Sequence, residues 1–123
     1  ICTGNIIDVA ADVRKILKTK GISVQLMTFI SIKPINKDQV IQAAFNTNAI
    51  FTIEEHSEIG GLGSAVSEIL IESEMSNIIF KRIALDDKCH SEIGTQDYLR
   101  NINGLNSKTI SNKILKIYEK YKK

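Results

Sequence analysis

The sequence predicts an α/β fold, a mostly parallel sheet with helices on both faces in three layers. Two observations carry this. Apolar runs of strand length alternate with helix-spaced amphipathic segments along all 123 residues, the pattern of βαβ units. One such run, at residues 49–53, leads through Glu54-Glu55-His56 into a glycine-rich turn, Gly60-Gly61-Leu62-Gly63, that opens a helix. Open α/β sheets build sites and interfaces at strand C-termini of this kind.

Each element has its own signal. Ile1-Cys2-Thr3-Gly4 reads as the end of a buried strand and its turn. Because a strand needs about five residues to pair usefully, and because the chain begins with isoleucine, it is expected to be a domain or fragment of a larger protein. Asn5 is the expected cap of a first helix whose apolar face is Ile6, Val9, Ala10, Val13, Ile16 and Leu17. Lys18, Lys20 and Gly21 close it, with cations at the negative end of the dipole. A second strand is expected at residues 23–29. Pro34 lies in the following loop, and Asn36 caps a helix over residues 37–45. The third strand covers residues 49–54, and the third helix starts near Leu62. The fourth strand covers residues 78–83. A short helix over residues 95–101 is broken at Gly104-Leu105, and Ser107 is expected to cap the last helix.

Right-handed crossovers make 2-1-3-4 the simplest doubly wound order of four such strands. That order places the switch point between the first and third strands, beside the glycine-rich segment. No linker or repeat divides the chain, so residues 1–123 are read as one domain. With 43% hydrophobic and 24% charged residues and a net charge of +2, nothing points to nucleic acid. No apolar run is long enough for a membrane span. Two distant cysteines, Cys2 and Cys89, are read as free thiols in a reducing cytoplasm.

Three features are candidates for chemistry. The turn at Gly60-Gly61-Leu62-Gly63-Ser64 lacks the spacing and lysine of a dinucleotide or Walker loop. Its helix start, at Gly61, Gly63 and Ser64, is a candidate anion site; the same glycines also serve a tight turn and close helix–strand packing. His56 with Glu54 and Glu55 is a candidate general acid/base pair or interface cluster; no nucleophile accompanies the histidine, which favours Glu55 and His56 as interface residues. On a strand Glu54 and His56 face one way and Glu55 the other. Cys89-His90 has no metal-ligand spacing. The lysines of the tail, Lys113 to Lys123, read as a solvated helix end. The census therefore names no catalytic, cofactor-binding or metal-binding residue.

The segment TIEEHSEIGGLGSAVSEIL resembles the C-terminal domain of the transketolase family of thiamine-diphosphate enzymes. Thr3-Gly4 with the helix after it is similar to that domain's opening. Ile93-Gly94-Thr95-Gln96-Asp97-Tyr98-Leu99, then Gly104-Leu105, is similar to its closing motif. Lys88-Cys89-His90 stands where the family commonly has an aromatic residue. The resemblance implies a three-layer fold with a five-stranded mixed sheet whose antiparallel edge strand comes first, a strand this chain lacks. It implies a dimeric parent that moves two-carbon ketol units between sugar phosphates. Thiamine diphosphate and Mg would be held by the parent's other domains, leaving this one to assembly. The same domain occurs in deoxyxylulose-phosphate synthases and 2-oxo-acid dehydrogenase β subunits; Gly94-Thr95 with no histidine before it favours transketolase. A different class, an independent small-anion-binding regulatory module built on the Gly61–Ser64 helix start, also stays open.

Overall fold

A computed structural model of the chain describes residues 1–75 and 77–121. In chain order it contains α1 (Ile7–Thr19), α2 (Lys37–Asn46), β1 (Ala49–Ser57), α3 (Leu62–Glu72), β2 (Ile79–Leu85), α4 (Gln96–Ile102) and α5 (Ser107–Tyr121). A 3-10 turn at Gly4–Ile6 precedes α1. Lys122 and Lys123 of the predicted lysine tail lie outside the described residues.

β1 and β2 pair in parallel, from Ala49 opposite Ile79 to Ile53 opposite Ile83. Isolated parallel bridges join Cys2 to Ile53 and Cys2 to Thr28. The sheet has two strands, so the predicted four-strand order 2-1-3-4 is not visible in it; the other two expected strands are reduced to these bridges. Residues 1–3 and 23–29 contribute one rung each, Cys2 N–H donating to Met27 O and Phe29 N–H to Cys2 O. The cause is local: the first segment turns away at Gly4, with φ at 71°, so only Cys2 is flanked on both sides.

Period-two alternation along β1 divides the core. Ile50 faces the layer of α2 and α3, where it packs with Val40, Ala44, Leu62, Val66 and Ile69. Ile53, with Phe51 beside it, faces the layer of α1 and α5, packing with Cys2, Ala10, Val13, Leu17, Ile110 and Ile114. These are the three layers the alternation predicts.

Two caps differ from expectation. Asn5 is not the cap of α1: it sits inside the 3-10 turn, and α1 begins after Ile6 without a side-chain cap. Asn106, not Ser107, caps α5, its Oδ1 accepting from Thr109 N–H at 2.9 Å. Asn36 caps α2 as expected, accepting from Gln39 N–H. Among the described residues, no helix is long and apolar enough to cross a membrane.

Candidate functional site

β1 and β2 lose register between Ile53 and Ser57, where β1 takes four steps against two on β2. Glu54, Glu55 and His56 all lie in this irregular stretch. Such irregularities commonly re-aim side chains at the end of a strand. The predicted split of the three side chains is nevertheless kept.

Glu54 turns under the start of α3 and is only 1% exposed. Its Oε2 accepts from Leu62 N–H and its Oε1 from Gly63 N–H, each at 2.7 Å. These are orphan donors at the positive end of the helix, and an internal carboxylate satisfies both. The glycines make room for it. A Cβ on Gly61 would collide with the Glu54 carboxylate and stand 3.0 Å from His56 Nδ1. A Cβ on Gly63 would stand 2.6 Å from Arg82 Cγ and 2.9 Å from Thr52 Oγ1. Ser64 Oγ accepts from Gly60 N–H, closing the turn. Of the predicted anion-site residues, then, Gly63 donates inward to Glu54, Gly61 shapes the space for it, and Ser64 serves the turn.

Glu55 points the other way, onto α4. Its Oε1 accepts from Arg100 Nε at 2.6 Å, and both its oxygens approach Gln96 Nε2. Arg100 is 8% exposed and also donates to Asn5 O at 2.9 Å. The hydrogen bond to Glu55 raises the Arg100 pKa above its ordinary value. The guanidinium therefore ties β1, α4 and the Gly4–Ile6 turn together. Sequence reasoning missed it. The available signal was the four-residue spacing of Gln96 and Arg100, which puts both on one face of a short helix.

His56 is exposed, its Nδ1 3.0 Å from Ser57 O. Ile59, beyond it in the turn, is also exposed. The rim thus presents His56 and Ile59, while Glu54 and Glu55 are turned inward. Arg82, on the neighbouring strand, donates to Glu58 O and lies along Gly63. Among the described residues no group of three His, Cys, Asp or Glu side chains is placed to hold a metal ion. Thiamine diphosphate does not fit the α3 start, since its phosphates would meet the Glu54 carboxylate on the same two donors. A cleft of about 550 Å³ lies at the other end of β1, lined by Val13, Leu17, Ile22, Val24, Leu26 and Tyr118 among others. Its lining mixes these apolar groups with Arg14, Lys20, Gln25, Asn46 and Asn48, and contains none of the rim's charged groups.

Comparison with known proteins bears on this geometry. The family model described as the C-terminal domain of transketolase matches residues 1–110. A 6-deoxy-6-sulfo-D-fructose transketolase subunit, SqwH, of Clostridium sp. (strain MSTE9) is 34% identical over 110 residues, 89% of this chain and 33% of its own length. The 1-deoxy-D-xylulose-5-phosphate synthase 1 of Geobacter sulfurreducens is 35% identical over 91 residues, 74% of this chain and 14% of its own length. A putative transketolase C-terminal section of Methanocaldococcus jannaschii is 31% identical over 98% of this chain and 36% of its own length. A solved split-gene transketolase, described as an inactive beta4 tetramer, superposes with a TM-score of 0.82 at 32% identity. That match covers 94% of this chain and 37% of the solved one. The chain spans about a third or less of these relatives.

Proposed function

The chain belongs to the family of transketolase C-terminal domains, and from that premise we propose that it is the non-catalytic assembly domain of a longer transketolase-like enzyme. The parent transfers two-carbon ketol units between sugar phosphates, in the cytoplasm, as a dimer. Thiamine diphosphate and its divalent cation belong to other domains or subunits of that parent. The observation that supports this reading best is the use made of the rim carboxylates. Glu54 caps α3 and Glu55 holds Arg100, so both act as structural groups. His56 and Ile59 are left to meet a partner. The small-anion module is disfavoured by the same geometry, because Glu54 already occupies the donors such a ligand would need.

A second reading has specific support. The Geobacter 1-deoxy-D-xylulose-5-phosphate synthase is as similar as the transketolase subunit, at 35% against 34% identity. The same assembly role in a deoxyxylulose-phosphate synthase parent is therefore the alternative.

Two measurements test the reading. Titration calorimetry of this chain with thiamine diphosphate and magnesium is expected to show no binding; stoichiometric micromolar binding overturns the proposal. In the parent enzyme, His56→Ala is expected to leave the melting temperature unchanged and to weaken assembly. Activity then falls only at protein concentrations where sedimentation shows dissociation. Activity that collapses while the assembly persists would place His56 in chemistry instead.

A further inference from the structure

The sheet is interrupted in its middle. Cys2 bridges Thr28 on one side and Ile53 on the other, so the segment at residues 23–29 and β1 stand two strand spacings apart, about 9.5 Å. The cleft of about 550 Å³ at the amino end of β1 is the continuation of that gap past Ile1. Its two walls are residues 22–27 and 47–51, and α1, α5 and the end of α2 close its faces. From Met27 back to Ser23 the wall runs about 13 Å, room for about four extended residues.

Both walls present the groups that a strand would use. Ile1 N donates to Phe51 O and Ile53 N–H donates to Ile1 O, so by period-two alternation Phe51 N–H and Ala49 O come next along this side of β1. On the other wall Cys2 N–H donates to Met27 O and Phe29 N–H to Cys2 O, so Met27 N–H and Gln25 O come next. Among the described residues, none of these four groups meets a backbone partner across the slot. The side chains agree. Ile22, Val24 and Leu26 alternate with exposed Ser23 and Gln25 and pack only partly against the α1/α5 core. Ile1 and Met27 do the same against the α2/α3 core. Paired backbone groups on two sides and helices over both faces are the surroundings of a central parallel strand, which reads as a continuous apolar run.

We infer that this slot seats a central strand supplied by the parent itself, an extended apolar run of about four residues joined ahead of Ile1. The direction of the bridges names that occupant. A parallel strand in the slot ends against the Ile1 nitrogen, so a separate peptide would break there. A peptide bond to Ile1 continues the strand and leaves an N–H that still donates to Phe51 O. The mouth of the slot is polar, with Lys20, Asn46 and Asn48 exposed around it, as suits a chain arriving from solvent. The inference deepens the assembly reading and rests on its longer parent. The connection to the other domains then runs through the middle of this sheet, and the domain cannot be separated from that connection without losing a strand.

The test compares amide hydrogen exchange at Met27 and Phe51 in this chain and in two forms with four residues added ahead of Ile1, all valine or all aspartate. The valine form is expected to slow both amides about tenfold or more and to raise the urea midpoint. The aspartate form is expected to match the unextended chain, because charges are not buried without partners. If the valine form leaves solution, alternating valine and threonine replaces it with the same readout. Unslowed amides in the soluble apolar form overturn the inference, as does equal slowing by aspartate. So does slow exchange at both amides in the unextended chain, which would mean that the walls satisfy each other. In the parent, the residues ahead of Ile1 are expected to exchange as slowly as β1. Free exchange there, with Met27 and Phe51 protected, overturns the inference in favour of a separate peptide or a small molecule in the slot. These amides lie at the opposite end of β1 from His56. A slot that stays open therefore leaves the His56→Ala result standing, and an assembly that ignores His56 leaves the strand standing.

Discussion

At Glu54 a buried carboxylate is satisfied by two backbone donors, and a hydrogen bond to a charged group is worth roughly 1.5–3 kcal/mol. Glu54→Gln keeps the shape but turns an amide nitrogen toward a donor. Urea denaturation is expected to show a loss of about 2 kcal/mol, with α3 the first element to exchange its amide protons. Stability equal to wild type would mean that the cap contributes nothing. Thr52 is the opposite case: it is fully buried and its hydroxyl has no hydrogen-bond partner. A buried orphan polar group costs about 1–3 kcal/mol, and valine has nearly the same shape. Thr52→Val is therefore expected to raise stability by about 1 kcal/mol; a destabilised variant would reveal a hydrogen bond through water. Gly63→Val drives branched methyls into the Arg82 stem and Thr52, and overpacking costs about 1–3 kcal/mol. Gly104 has a φ of 70° and only Thr109 Cγ2 near its Cβ position, at 3.5 Å. Gly104→Ala should thus cost only about 1 kcal/mol. Equal denaturation midpoints for these two variants would refute the close-packing account of Gly63.

The elements that came through clearly from sequence are those whose signal is local. Asn36 before an amphipathic run marked α2, and the glycine-rich turn marked the start of α3. The caps of α1 and α5 did not come through, for a physical reason. Asn5 and Ser107 are both acceptable cap residues, and the choice depends on whether the chain first makes a 3-10 turn or has an earlier asparagine. The strand at residues 23–29 has the right composition, but its ladder depends on a partner segment that supplies one residue. The orientation of Glu54 and Glu55 followed from alternation, yet their partners did not. The Arg100 pairing spans 45 residues, and no periodicity encodes it. That pairing makes α4 a tethered element, buried mainly through one guanidinium. Replacing Arg100 by methionine removes the tie to both Glu55 and Asn5 O. Removing one partner of a buried pair costs about 3–5 kcal/mol, an upper bound here because Glu55 is partly exposed. Hydrogen exchange over residues 96–102 is expected to accelerate before the rest of the chain opens. Unchanged protection there would show that Leu105 and its neighbours hold α4 without the arginine.

Across the whole molecule, three layers meet at the first residues of the chain, where Ile1 and Cys2 lie between the residue 23–29 segment and β1. The Ile1 nitrogen donates to Phe51 O at 2.8 Å, and Ile53 N–H donates to Ile1 O at 2.8 Å. In a chain that starts at Ile1 this nitrogen is an amine, and burial lowers its pKa from 8.0 to about 6. The folded state therefore releases a proton that the unfolded state keeps between those values. Stability rises wherever the unfolded state binds more protons. The contribution of this amine is expected to be lowest below about pH 6, to climb as the pH passes from about 6 to about 8, and to level off above that. A pKa difference of one between the folded and unfolded states corresponds to about 1.4 kcal/mol, which bounds the gain from this group at about 2–3 kcal/mol. The control follows from the same hydrogen bond. With any residue placed ahead of Ile1, the nitrogen becomes an amide N–H that still donates to Phe51 O but cannot titrate. Thermal melts of both forms from about pH 5.5 to about pH 8.5 should then diverge, the extended chain losing this slope and gaining most at the acidic end. Parallel curves for the two forms would show that the amine reaches solvent and that the sheet tolerates its charge.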